Sequence, residues 1–195
     1  QSITFNNPGT QNFGTTPTLS ASASSGLAVT LSVDGATAAV CSINSGVLSF
    51  ASVGTCTVLA DQAGDASHDP AVQVSQSFSV QAVAPAAPVI GTAALTSATA
   101  AEVSFGAPAF DGGAAITQYE VVPSPSVAGG PFVGNGSPLT VTGLVAGQSY
   151  TFTVLARNSA GDSQASAATN AVQPMTGQSI TFNNPGTQNF GTTPT

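Results

Sequence analysis

Apolar side chains in this chain recur at every second position, not at every third or fourth. In the first eighty or so residues the runs are Ile3 and Phe5; Leu19, Ala21 and Ala23; Val29, Leu31 and Val33; Cys56, Val58 and Ala60; Val72 and Val74; Phe78 and Val80. Val47, Leu48 and Phe50 mark one more. A period of two sends successive side chains to opposite faces of a pleated backbone, so the pattern predicts half-buried strands. Turn formers punctuate the runs: Asn6 to Gly9, Ser24 to Gly26, Asp34 and Gly35, Asn44 to Gly46, and Ala63 to Asp65. Seven or so strands at this spacing read as a β-sandwich. Alternation returns further on, in Val103 and Phe105; Tyr119 and Val121; Leu139 and Val141; and Tyr150, Phe152, Val154 and Ala156. Between the two regions lies QAVAPAAP, Gln81 to Pro88, whose prolines favour an extended, semi-rigid spacer. The expected organisation is a module over residues 1–81, a linker over 82–88, a second module over 89–175, and a partial third segment over 176–195.

That last segment is a copy. QSITFNNPGTQNFGTTPT occupies Gln1 to Thr18 and recurs without a difference at Gln178 to Thr195, an offset of 177 residues. A fixed long period is the signature of an array of like modules, each touching mainly its neighbours. Ile180, Phe182 and Phe190 of the second copy then have no sandwich of their own after them, and are expected to be covered by a neighbouring copy of the repeat, head to tail. A short strand is expected at Ser179 to Phe182 and a turn at Asn183 to Gly186.

Charge narrows the partners. One Arg (Arg157), no Lys and eight Asp or Glu give a formal net charge of −7. Such a surface cannot neutralise phosphates, which argues against nucleic acid and anionic membranes. No stretch of about twenty apolar residues predicts membrane insertion, and no cationic start with an apolar core marks a signal peptide. The absence of Lys excludes a Lys–Asn isopeptide cross-link and leaves trypsin-like proteases only Arg157.

Little chemistry is legible. Catalysis needs converging nucleophile, base and orienting group, and the single His, His68, lies among turn formers in DASHDP. No enzyme activity and no cofactor are expected. Asp61, Asp65 and Asp69 recur at a spacing of four, making them weak calcium candidates, although they fit no EF-hand and Asp also caps turns. Cys41 and Cys56 flank a middle strand and turn; a bridge between them would close a short loop, the alternatives being buried free thiols or a zinc site short of ligands.

The motifs also carry two resemblances. QSITF, TLSASASSGLAVTLSV, AVCSI, VGTCTVLADQAGDASHDPA and SQSFSV resemble the bacterial immunoglobulin-like repeats of large secreted surface proteins, across the whole first module. In that family two cysteines occupy the positions of Cys41 and Cys56, which adds to the disulfide reading, whereas His68 stands where an aromatic is more usual. PAAPVIGTAAL, VSFGAPAFDGGAAITQYEVV and SPLTVTGLVAGQSYTFTVLARNSAGDSQAS resemble fibronectin type III domains. There Tyr150, six residues after Leu144, matches a tyrosine corner, and Phe105 replaces the Trp often buried in the second strand. The resemblances imply an all-β chain of two tandem antiparallel β-sandwiches, immunoglobulin-like then fibronectin type III-like, followed by the first strand region of the next repeat. They imply a structural unit of an extracellular fibre or adhesin stalk with an unknown surface ligand. A sugar-binding module would show exposed aromatics, and there is no Trp.

Overall fold

The structure, a computed structural model, describes residues 1–177, 180, 181 and 190. Of the strand and turn expected over Ser179 to Gly186, only Ile180 and Thr181 are described, both exposed and in no strand; the rest lies outside the described residues. Alternation builds the first sandwich as expected. Its strands are β1 (Ile3–Phe5), β2 (Gln11–Asn12), β3 (Ala21–Ala23), β4 (Thr30–Val33), β5 (Cys41–Asn44), β6 (Val47–Phe50), β7 (Gly54–Asp61) and β8 (Val74–Gln81). One layer is the sheet β2-β8-β7-β4, and the other comprises the pairs β1-β3 and β5-β6. Every second residue of β7 (Cys56, Val58 and Ala60) is buried and packs with Ile3, Phe5, Leu48, Phe78 and Val80. Ser45 and Gly46, both at positive φ (51° and 79°), close the β5-β6 hairpin between the paired Asn44 and Val47. Two central residues at positive φ match the right-handed twist of the strands they join. Asp34 does not simply turn the chain: its carboxylate accepts from the Ala36 N–H at 2.9 Å and starts a 3-10 turn, Gly35–Thr37. Val72, read as part of an alternating run, is exposed and precedes the strand.

The second sandwich has β9 (Val89–Leu95), β10 (Ala100–Gly106), β11 (Gln118–Ser124), β12 (Phe132–Gly134), β13 (Leu139–Thr142), β14 (Thr151–Asn158) and β15 (Gly161–Asp162). A three-stranded sheet, β13-β10-β9, faces a four-stranded one, β12-β11-β14-β15. Its core gathers Val103, Phe105, Tyr119, Val121, Val141, Leu144, Tyr150, Phe152 and Val154. Phe105 sits 4.8 Å from Tyr119 between ring centroids, so the position where a Trp was expected is filled by a ring pair.

After β15 the chain follows β14 in an arrangement the alternation did not announce. The N–H groups of Ser163, Ser166 and Thr169 donate to the carbonyls of Ala156, Val154 and Phe152 at 2.8, 2.9 and 2.9 Å. In return the N–H groups of Ala156, Val154 and Phe152 donate to the hydroxyls of those same residues at 2.9, 2.9 and 3.1 Å. Each hydroxyl also donates to the carbonyl of the residue following its own, at 2.7 to 2.8 Å. Three residues on one side therefore match two on the other. Such a mismatch throws backbone carbonyls out of register, as successive bulges do, and the hydroxyls supply the missing acceptors. Val172 and Tyr150 close the run with a reciprocal backbone pair at 2.8 and 2.9 Å. The Asn170 side-chain amide accepts from the Ala93 N–H at 2.9 Å and donates to the Ala93 carbonyl at 3.0 Å, joining this segment to the edge strand β9.

Candidate functional site

The duplicated stretch can be followed in its first copy, where it forms a seat spanning both modules. Ile3 and Phe5 alternate inward on β1, which pairs antiparallel with β3 in the register Ile3↔Ala23 to Phe5↔Ala21; both are buried. Gln1 is tied in by hydrogen bonds with Gln62 and Ser25 and donates to the Asp69 carbonyl at 2.7 Å. Asn7 donates to the Ser77 carbonyl at 2.9 Å and to Gln76 Oε1 at 3.1 Å. Residues Gln11 and Asn12 then run parallel to Val80 and Gln81 as β2 beside β8, and the Phe13 N–H donates to the Gln81 carbonyl at 2.9 Å.

Phe13 takes the segment across the module boundary. Half-buried against the first core, it stacks on Phe110 of the second module, with ring centroids 5.7 Å apart and planes 14° from parallel. Gly113 is what admits it: its φ is +80°, and a Cβ there would lie 2.5 Å from Phe13 Cγ. Gly112, at φ +75°, likewise lies so close to Val83 that a Cβ would meet its carbonyl oxygen at 1.9 Å. The linker is docked, not merely spaced. Val83 donates to the Gly112 carbonyl and Ala86 to the Phe110 carbonyl, both at 2.9 Å. The Asn158 side chain donates to the carbonyls of Val83 and Asp111, each at 2.7 Å. Phe13, Phe110, Gly113 and Asn158 carry no signal in the alternation; Asp111 to Gly113 forms a turn, with Asp111 accepting from the Gly113 N–H at 2.8 Å.

In the second copy Ile180 and Phe190 are fully exposed, and Phe182 lies outside the described residues. In the first copy their counterparts lie apart: Phe13, at the position of Phe190, is at the junction, and Ile3, at the position of Ile180, is in the core.

Cys41 and Cys56 are bonded, with Cα atoms 5.8 Å apart, and link β5 to β7 across the two layers. Two of the three candidate calcium ligands, Asp61 and Asp65, have their carboxylates engaged elsewhere. Asp61 accepts twice from Gln73, at 2.9 and 3.0 Å. Asp65 accepts from the Ser67 N–H at 2.8 Å and lies 3.0 Å from His68 Nδ1. The Ser67 N–H first, and then His68, hold the Asp65 carboxyl below the usual carboxylate range. Asp69 enters through its backbone carbonyl. Among the described residues no group of three or more His, Cys, Asp or Glu could hold a metal ion. Asp61 ends β7 while Asp65 and Asp69 lie in the loop after it, so a spacing of four in sequence does not by itself bring the three carboxylates together. Arg157 forms a two-pronged pair with Asp162, at 2.5 and 2.8 Å, which lowers the Asp162 pKa and raises that of Arg157. Glu120 lines an open cleft of about 300 Å³ with Val122, Pro123, Ser126, Val127, Gly130 and Pro131, a lone carboxylate among apolar and small residues.

Tyr150 makes the corner its position implies: buried itself, its hydroxyl accepts from the Val145 N–H at 3.1 Å. Because Val145 is exposed and water can replace the lost partner, Tyr150→Phe is expected to cost only about 1 kcal/mol. Calorimetry should register this as a fall of roughly 4–8 °C in the melting of the second module.

The chain is similar to a stretch of domains from titin, at 17% identity and a TM-score of 0.47, over 89% of this chain and 66% of that one. It is similar to the titin kinase with its flanking domains, at 26% identity and a TM-score of 0.41, over 47% of this chain. The kinase region of twitchin from C. elegans gives 26% identity and a TM-score of 0.42, over 50% of this chain. The chain spans only 17% and 18% of the titin and twitchin kinase structures. No curated protein matches it. The family description of the fibronectin type III domain matches residues 85–172. With the paired sheets, the tyrosine corner and this match, a fibronectin type III domain is present over residues 85–172.

Proposed function

We propose that the chain is a structural repeat unit of a bacterial extracellular fibre or adhesin stalk, assembled head to tail with a period of 177 residues, in which neighbouring copies of the repeat are the partners. The observation that carries this reading is the seat of Gln1 to Thr18. A stretch that is wedged into one sandwich and stacked on the next occurs a second time at the far end, where it has the chemistry to begin another unit. The fibronectin type III domain is a module of multidomain proteins, which supports a structural role. The bonded cysteines suit an oxidising, extracellular setting. The resemblance of the first module to bacterial immunoglobulin-like repeats supports the bacterial surface.

A second reading is the passive monomeric spacer of a surface adhesin, favoured by a surface with little charge of either sign. Electron microscopy of protein carrying several units separates the two. Ordered filaments with a constant helical rise are expected of the fibre, and single thin strings of the spacer; compact particles without a repeat along their length contradict both.

A further inference from the structure

We propose that the seat of Gln1 to Thr18 is an acceptor for residues 178–195 of a second copy of this chain, and that it reads the two modules together. Ile180 and Phe182 replace Ile3 and Phe5 beside β3, and Phe190 replaces Phe13 on Phe110. Identity over eighteen residues makes every contact of the first copy available to the second: the β1-β3 register, the Asn7 side-chain bonds to Gln76 and Ser77, the parallel run beside β8, and the stack on Phe110. Ile180 is 95% exposed and Phe190 wholly so, apolar surface that this seat would remove from water.

Recognition of both modules follows from where the contacts fall. The first half of the segment is held by the immunoglobulin-like module, but Phe13 reaches Phe110 through the gap left by Gly113. An isolated first module offers only part of the seat, so a segment arriving from another chain selects a first module already joined to its fibronectin type III neighbour.

Within residues 1–195 the first copy itself fills the seat. Tethered in cis, that copy competes at an effective concentration of roughly millimolar, and the exchanged contacts are identical, so free chains stay monomeric. Weakening the first copy alone reverses the preference. Each chain then offers one segment and one vacant seat at different places, a heterologous contact that propagates head to tail. The inference rests on the duplication and the seat, not on the array reading, because units joined covalently place the second copy without any exchange.

The test uses variants of residues 1–195 in sedimentation. Phe5→Asp is expected to form concentration-dependent oligomers, which a synthetic peptide of residues 178–195 returns to monomers. Phe182→Asp should match the parent chain, and Phe5→Asp with Phe182→Asp should stay monomeric. Adding Phe110→Ser to Phe5→Asp should weaken assembly about tenfold, the loss of one aromatic pair with its burial. If Phe5→Asp stays monomeric and the peptide neither binds it nor raises the melting of its first module, the acceptor is overturned. If Phe110→Ser leaves assembly unchanged, the reading of both modules is overturned. Either failure leaves the microscopy of covalent arrays to decide the array reading by itself.

Discussion

Reduction of the Cys41–Cys56 bond is expected to lower the thermal midpoint of the first module by roughly 12–24 °C and to leave the second module where it was. The bond closes a loop of 15 residues, for which the chain-entropy account gives about 3 kcal/mol, and in a domain of this size each kcal/mol moves the midpoint by about 4–8 °C. Both cysteines are essentially inaccessible, at 1% and 0% exposure, so the folded protein should resist mild reductant and respond after unfolding in its presence. Calorimetry with and without reductant checks this, with two transitions resolved or deconvoluted. Reduced parent protein is the better comparison than a double alanine variant, because it keeps the sulfur volume in a core that also holds Leu48 and Val58. A shift of only a degree or two, or an equal shift of both transitions, contradicts the assignment.

The triple variant Ser163→Ala, Ser166→Ala, Thr169→Val is expected to destabilise the fibronectin type III domain by several kcal/mol while the first module melts normally. Each hydroxyl accepts a β14 N–H, from Ala156, Val154 or Phe152, in a bond where water has no access. A buried donor left without a partner costs about 1–3 kcal/mol, so three cost about 3–9 kcal/mol against a domain stability of about 5–15 kcal/mol. Single variants should lose about 1–3 kcal/mol each in denaturant melts, with some non-additivity because the three lie on one strand. Amide exchange at Ala156, Val154 and Phe152 reports the same bonds individually. Ser159→Ala, at an exposed position, serves as the control. A triple variant that melts like the parent would show that the hydroxyls are replaceable.

Much of the architecture was readable because period two reports directly which face of a strand is buried. β7 and β14 place their alternate side chains inward, as the runs at Cys56 and Phe152 indicate. The Ser45 and Gly46 turn and the Tyr150 hydroxyl bond were legible for a similar reason, since each depends on residues close in sequence. Alternation says nothing of what covers a side chain. Phe190 was grouped with Ile180 and Phe182 as though one sandwich would take all three, whereas in the first copy the second aromatic, Phe13, sits at the junction. Phe110 and Gly113 passed unnoticed because they meet Phe13 across about a hundred residues. The hydroxyl ladder leaves a trace, a Ser or Thr at every third position from Ser163 to Thr169. In a chain so rich in Ala, Ser and Thr that period looks like composition. At Asp61, Asp65 and Asp69 regular spacing suggested convergence, whereas the carboxylates of Asp61 and Asp65 take separate hydrogen bonds and Asp69 offers its backbone carbonyl to Gln1.

The parallel pairing of β2 with β8 has a mechanical consequence. Tension applied to the first module enters through Gln1 and leaves through Gln81, pulling β2 towards its start and β8 towards its end. Because the two strands run in the same direction, that tension acts along them, and their bonds are sheared together instead of being peeled apart one at a time. The Phe13 N–H to Gln81 bond lies at the same place, and the Phe13 ring passes part of the force to Phe110. The join between modules is thus placed where a stretched tether would be strained most.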